Sequence, residues 1–133
     1  MRMIFVGLTA LSLVTTQAVA KPALRDVKAV DDNMLWVALA LEISNKCGEI
    51  SARKVKGISF LWSLKRKANS LGYSDTEIDT YRNSNAEKAR IRARGEKYVK
   101  AKGLNPSVTV DLCKLGHAEI AKNSQIGALL RAK

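Results

Sequence analysis

The sequence predicts an all-α domain, a small bundle of about five helices with one disulfide after a cleaved signal peptide. Three observations carry that prediction. Apolar residues recur at helical spacing, and clean strand alternation is missing. Ser followed three residues later by Glu, a helix-start signature, occurs at Ser74 and again at Ser84. Two cysteines, Cys47 and Cys113, follow a leader of export type.

The leader comes first. Met1-Arg2-Met3 is a short basic start, Ile4 to Val14 is an apolar run, and Ala18-Val19-Ala20 is a small-residue cleavage site. Residues 1–20 therefore read as a signal peptide cut after Ala20. The apolar run of about 11 residues falls short of the roughly 20 that span a bilayer. Charges interrupt every later apolar run, so no transmembrane segment is expected after cleavage. Export places the chain in the periplasm or outside the cell, where thiols oxidise. Cys47 and Cys113 are then expected to form a disulfide that closes a loop of about 66 residues, worth roughly 4 kcal/mol in the chain-entropy account.

Residues 21–32 lack periodicity and read as an extended arm before a single helical domain, 33–133. Asp31 or Asp32 caps a first helix from about Asn33 to Lys46. That helix is apolar nearly all round, as a central helix would be, and Gly48 is expected to supply a left-handed cap. Ser51 is expected to start a second helix, to about Ser70, with Gly57, Phe60, Leu61, Leu64, Ala68 and Leu71 in one stripe. Ser74-Asp75-Thr76-Glu77 is a capping box flanked by Tyr73 and Ile78 at hydrophobic-staple positions. Ser84-Asn85-Ala86-Glu87 is a second box and opens a helix to Lys102, which Gly103 ends. Val108 to Lys122 forms a further helix, and Gln125 to Arg131 a last helical turn or two. The weak strand candidate is Val108-Thr109-Val110.

The chain carries a formal charge of +11, and the excess is uneven. Residues 21–50 are net −1, residues 51–102 net +9 and residues 103–133 net +2. On the helix from Ser84, Arg90, Arg94 and Lys97 fall on one side at about 100° per residue. They read either as an anion-binding face or as a solvated surface. Nucleic acid is not an expected partner: the chain is exported, its aromatic content is 5%, and no helix-turn-helix or zinc-finger spacing is present.

Catalytic constellations are not evident. There is no P-loop, dinucleotide fingerprint or Gly-x-Ser-x-Gly turn, and His117 is the single histidine. Cys113 and His117 share a helix face and with Cys47 offer three potential metal ligands, but oxidised sulfurs do not ligate. No metal and no cofactor is expected. Glu42, Glu49, Glu87, Glu96 and Glu119 are the carboxylates from which a hydrolytic pair could be drawn. Glu42 follows an apolar run and is either a helix-face residue or a buried acid. Trp36, Trp62 and Phe60 are core residues by default, with one tryptophan open as a binding anchor; Trp36 is expected to reach the surface.

Three stretches carry a resemblance: Leu71-Gly72-Tyr73-Ser74-Asp75-Thr76-Glu77-Ile78, Ala93-Arg94-Gly95-Glu96-Lys97-Tyr98 and Ser124-Gln125-Ile126-Gly127-Ala128-Leu129-Leu130-Arg131. With the leader and the cysteine spacing, the chain resembles an uncharacterised family of small exported alphaproteobacterial proteins, a domain of unknown function. The resemblance covers nearly all of the mature chain and implies no activity and no site residues. Some members of such families bear a label as an accessory subunit of NADH dehydrogenase, although two cysteines 66 residues apart provide no cluster ligand set.

The expected function is a non-catalytic binding or accessory module for an acidic protein or an anionic envelope surface. The alternatives are a carboxylate-dependent enzyme on an envelope polymer and an accessory factor of a respiratory membrane complex.

Overall fold

A computed structural model describes residues 19–133. The expected leader lies almost wholly outside these residues. Among them are six helices and a two-stranded sheet. Helix α1 runs over Lys28–Lys46, strand β1 over Ile50–Ala52, α2 over Lys54–Ser70, α3 over Asp75–Asn83 and α4 over Asn85–Ala101. Helix α5 spans Thr109–Ala121, α6 spans Gln125–Ala128, and β2 closes the chain at Leu130–Ala132. The all-α fold with one disulfide is as the sequence predicts. None of the helices is long and apolar enough to cross a membrane.

Helix α1 is the axis of the bundle, in contact with α2, α4, α5, α6 and β1. Its Leu35, Leu39 and Ile43 pack with Ile50, Ile91, Val99, Leu112, Leu115, Ile126 and Leu130 in one core. A second cluster of Leu24, Val30, Ala68, Tyr73 and Ile78 seals the corner where α2 turns into α3. This cluster explains the first departure from expectation. The arm expected over 21–32 gives way to a 3-10 turn at Leu24–Asp26 and then to α1, which begins at Lys28 rather than near Asn33. Burying Leu24 and Val30 at that corner offsets the weak local helix signal. Asp31 and Asp32 consequently lie inside α1 and do not cap it.

The end of α1 differs as well. Gly48 does not adopt a left-handed conformation; the glycines with positive φ are Gly72 at 92° and Gly103 at 74°. Helix α1 stops because Cys47 turns extended, with φ −95° and ψ 110°, while bonded to Cys113 of α5. The two Cα atoms are 5.3 Å apart.

Residues 50–52, where Ser51 was expected to cap α2, instead form β1. Ile50 pairs with Ala132, Ser51 with Arg131 and Ala52 with Leu130, antiparallel. Two further bonds extend the ladder, from Arg53 N–H to the Leu129 carbonyl (2.8 Å) and from Lys133 N–H to the Glu49 carbonyl (2.9 Å). Each strand has three residues, too few for an alternation pattern to register. The strand candidate at Val108–Val110 is instead the cap and first turn of α5.

The Ser74–Glu77 capping box forms in both directions, with Glu77 N–H donating to Ser74 Oγ at 3.1 Å and Ser74 N–H to Glu77 Oε2 at 2.7 Å. The second box is half made. Glu87 N–H donates to Ser84 Oγ at 3.2 Å, but the Glu87 carboxylate turns to Arg90 and Arg25.

Candidate functional site

Four places concentrate the chemistry of the molecule. The first joins α1 to α4. Arg90 and Arg94, one turn apart on α4, both reach across to Asp31, and Arg94 also pairs with Asp32 at 2.6 Å. The Tyr81 hydroxyl donates to Asp31 as well. Arg90 Nε lies 2.7 Å from Glu87, and Arg25 closes the far end of the same carboxylate. Burial raises the Asp31 carboxyl, but Arg90, Tyr81 and Arg94 outweigh it and hold the group below the usual carboxylate range. Burial likewise raises Glu87, which Arg90 and Arg25 bring below its ordinary value. Burial, with Asp31 beside it, pushes the Tyr81 hydroxyl up. Two of the three cations expected to form an anion face are thus engaged with carboxylates of their own chain. Lys97 remains exposed.

The second place is Glu119, fully buried at 0% exposure. The Tyr98 hydroxyl donates to it at 2.7 Å, Ser124 Oγ donates to its other oxygen, and Lys122 Nζ stands 3.1 Å away. Burial raises this carboxyl too, and the three donors bring it below its ordinary range. Burial and the neighbouring Glu119 together push Tyr98 up to about 12. Ser124 also caps α6 by accepting from Gly127 N–H at 3.1 Å.

The third place surrounds the disulfide. Glu49 has a carboxylate oxygen within 4.8 Å of both sulfurs, and His117 Nε2 lies 3.1 Å from that carboxylate. Of the three side chains anticipated from spacing, Cys47 and Cys113 meet in the disulfide, while His117 pairs with Glu49, a neighbour that spacing did not single out. Joined sulfurs carry no thiolate, so this donor set does not fit a metal while the bond is intact.

The fourth place is a cleft of about 400 Å³ between α1 and α4. Val37, Leu41, Ile91 and Leu112 line it, with Glu42 and Glu96 at its edge. Glu42 is therefore a helix-face residue and not a buried acid. Gly95 lets the two helices meet, since a Cβ there would stand 3.3 Å from Leu39.

The outward surface has a different character. Helix α2 buries Leu64 and Ala68 and leaves Val55, Ile58 and Trp62 at 84%, 58% and 57% exposure. Trp36, expected to reach the surface, is half-buried edge-on against Tyr98, with ring centroids 5.3 Å apart. Helix α2 carries Lys54, Lys56, Lys65, Arg66 and Lys67 and no acidic residue. Among the described residues, Lys65 alone of these five has a carboxylate partner, Asp75 at 3.3 Å. Of the stripe expected from spacing, Leu64 and Ala68 are buried, Gly57 and Phe60 are partly buried and Leu61 and Leu71 are exposed; sequence reasoning missed the opposite stripe altogether. Val55, Ile58 and Trp62 recur at spacings of three and four, so the signal was present.

The stretches that carried the resemblance all have structural work. Gly72 supplies positive φ and Tyr73 is buried in the corner cluster. Arg94, Gly95 and Tyr98 serve the Asp31 cluster, the α1–α4 approach and Glu119. Ser124 and Gly127 shape α6. Comparison with curated proteins and with solved structures finds no match. The profile of a family of unknown function (DUF5333) matches residues 22–131, nearly the whole of the described fold, and the chain belongs to that family.

Proposed function

We propose that the protein is an exported, non-catalytic helical module that binds an anionic partner. The observation that carries this reading is how the charges are divided. The buried carboxylates Asp31, Glu87 and Glu119 are held in ion pairs within the fold. Outward-facing Lys54, Lys56, Arg66, Lys67 and Lys97 have no carboxylate partner among the described residues. Lys97 is the member of the expected Arg90–Arg94–Lys97 face that stays available to a partner. The test is retention on a soluble acidic polymer such as polyglutamate. Retention should fall steeply with salt, because exposed charges are screened beyond about 8 Å at physiological ionic strength. Absence of retention at low salt would overturn the reading. Export is tested by sequencing the amino terminus of the accumulated protein, which should begin at Lys21.

A second reading is favoured by the cleft, whose edge holds two carboxylates, Glu42 and Glu96. In that reading the protein hydrolyses an acidic envelope polymer. Turnover of peptidoglycan that Glu42→Gln abolishes would establish it and remove the non-catalytic one.

A further inference from the structure

We infer that the exposed side of α2 is a docking helix for an anionic lipid surface. The inference rests on the proposed anionic partner and names it as a bilayer.

Helix α2 has two apolar sides. At about 100° per residue, Leu64 and Ala68 lie toward the bundle, and Val55, Ile58 and Trp62 form a separate stripe turned away from them, with Val55 diametrically across from Leu64. The outer stripe is a ridge and not a groove. A fluid bilayer can close around a ridge; a folded partner would need a matching trough. Lys65 Nζ stands 5.6 Å from the centre of the Trp62 ring, so the cationic and aromatic groups are contiguous. An apolar stripe with tryptophan, flanked by lysine and arginine and free of acid, is the pattern of a helix that lies in the membrane interface.

Charge complementarity selects the occupant. A second copy would bring the same cations to the contact and be repelled. Anionic headgroups would be attracted by each Lys or Arg near the surface. The amino end of α2 adds an independent observation. Arg53, Lys54 and Lys56 crowd the positive end of the helix dipole, and no side chain caps it. That arrangement costs local stability, and nothing inside the described fold offsets it. Phosphate groups at that end would.

The test uses the protein in the form the cell accumulates, carrying Trp36→Phe so that Trp62 is the remaining tryptophan. Vesicles of phosphatidylcholine alone are compared with vesicles that also contain phosphatidylglycerol. Binding is expected to the anionic vesicles, with a blue shift of Trp62 emission and quenching by brominated acyl chains. Replacing Val55, Ile58 and Trp62 together by Ser, followed by co-sedimentation, should weaken binding by about ten-fold or more. Each Lys→Gln change at Lys54 or Lys56 should weaken it about five-fold. Lys54, Val55, Lys56, Ile58 and Trp62 are exposed, so circular dichroism should be unchanged relative to the Trp36→Phe parent. Vesicle binding that ignores the triple Ser substitution, or that leaves Trp62 unquenched, would overturn the inference. Retention on polyglutamate without vesicle binding would overturn it and leave the anionic-partner reading standing. Failure on both would remove the two together.

Discussion

Asp31 is a carboxylate with 2% exposure that faces two guanidinium groups and a phenol. Removing one partner of such a set leaves the others uncompensated, which costs more than the set contributes when complete. Asp31→Asn should therefore lower stability by about 3 kcal/mol in urea unfolding at neutral pH. Lys97→Gln, on the same helix as Arg90 and Arg94 but exposed, should change it by less than about 0.5 kcal/mol. Two glycines offer a similar contrast. A Cβ at Gly127 would lie 1.9 Å from the Glu119 carbonyl oxygen, whereas a Cβ at Gly57 meets nothing within 4 Å. Gly127→Ala should abolish cooperative unfolding, because backbone would have to move. Gly57→Ala, inside α2, should raise stability by about 0.5–1 kcal/mol. Calorimetry of the two variants checks both outcomes.

At the scale of elements, helix ends and the crosslink set the register of the bundle. Ser74 and Ser84 each accept a bond from the third residue of the helix that follows, and Ser→Ala at either should cost about 1 kcal/mol. Ser124→Ala should cost more, since it loses the α6 cap and a donor to buried Glu119 together. The Cys47–Cys113 bond ties the end of α1 to α5 across a separation of 66 residues. Reduction should lower unfolding free energy by roughly 4 kcal/mol. Chemical denaturation with and without a dithiol measures this. An intact mass two protons below the reduced mass confirms the bond in the purified protein.

For the whole molecule, the three buried carboxylates set the response to acid. Asp31, Glu87 and Glu119 all titrate below their ordinary values in the fold, so the unfolded chain binds more protons near its own carboxylate range. Their stabilisation is complete above about pH 5, and it is lost as pH falls through the folded values. The melting temperature should hold steady from neutrality to about pH 5 and then drop, with a shallower drop in Asp31→Asn. At the alkaline end the sign reverses. Tyr98, raised to about 12, keeps its proton in the fold, so its contribution fades as pH climbs from about 10 toward that value. Burial, the larger cause of the Tyr98 shift, persists in Glu119→Gln, so that variant should lower Tyr98 titration only part of the way, which ultraviolet absorbance at the phenolate band records.

Local chemistry was legible in the sequence wherever it acts over one turn of helix. The Ser74–Glu77 box, the Ser84 cap and the stop at Gly103 depend on residues within a few positions of the backbone they serve. The disulfide was legible because two cysteines allow one pairing within a chain. The face of α4 was legible only in part. Its inward positions are Glu87, Ile91, Gly95 and Val99, while Ala86, Ala89 and Ala93 face out, so Ile91 and Val99 mark the buried side but the burial of Glu87 goes unmarked. Whether Arg90 and Arg94 meet solvent or a carboxylate depends on Asp31, about 60 residues earlier, and helix periodicity carries no information about that distance. The strands β1 and β2 are short and 80 residues apart at the Ser51–Arg131 pair, so packing and not propensity decides them. The same holds for α2: spacing defines its two apolar stripes, and the position of α1 decides which is buried and which remains available to a partner.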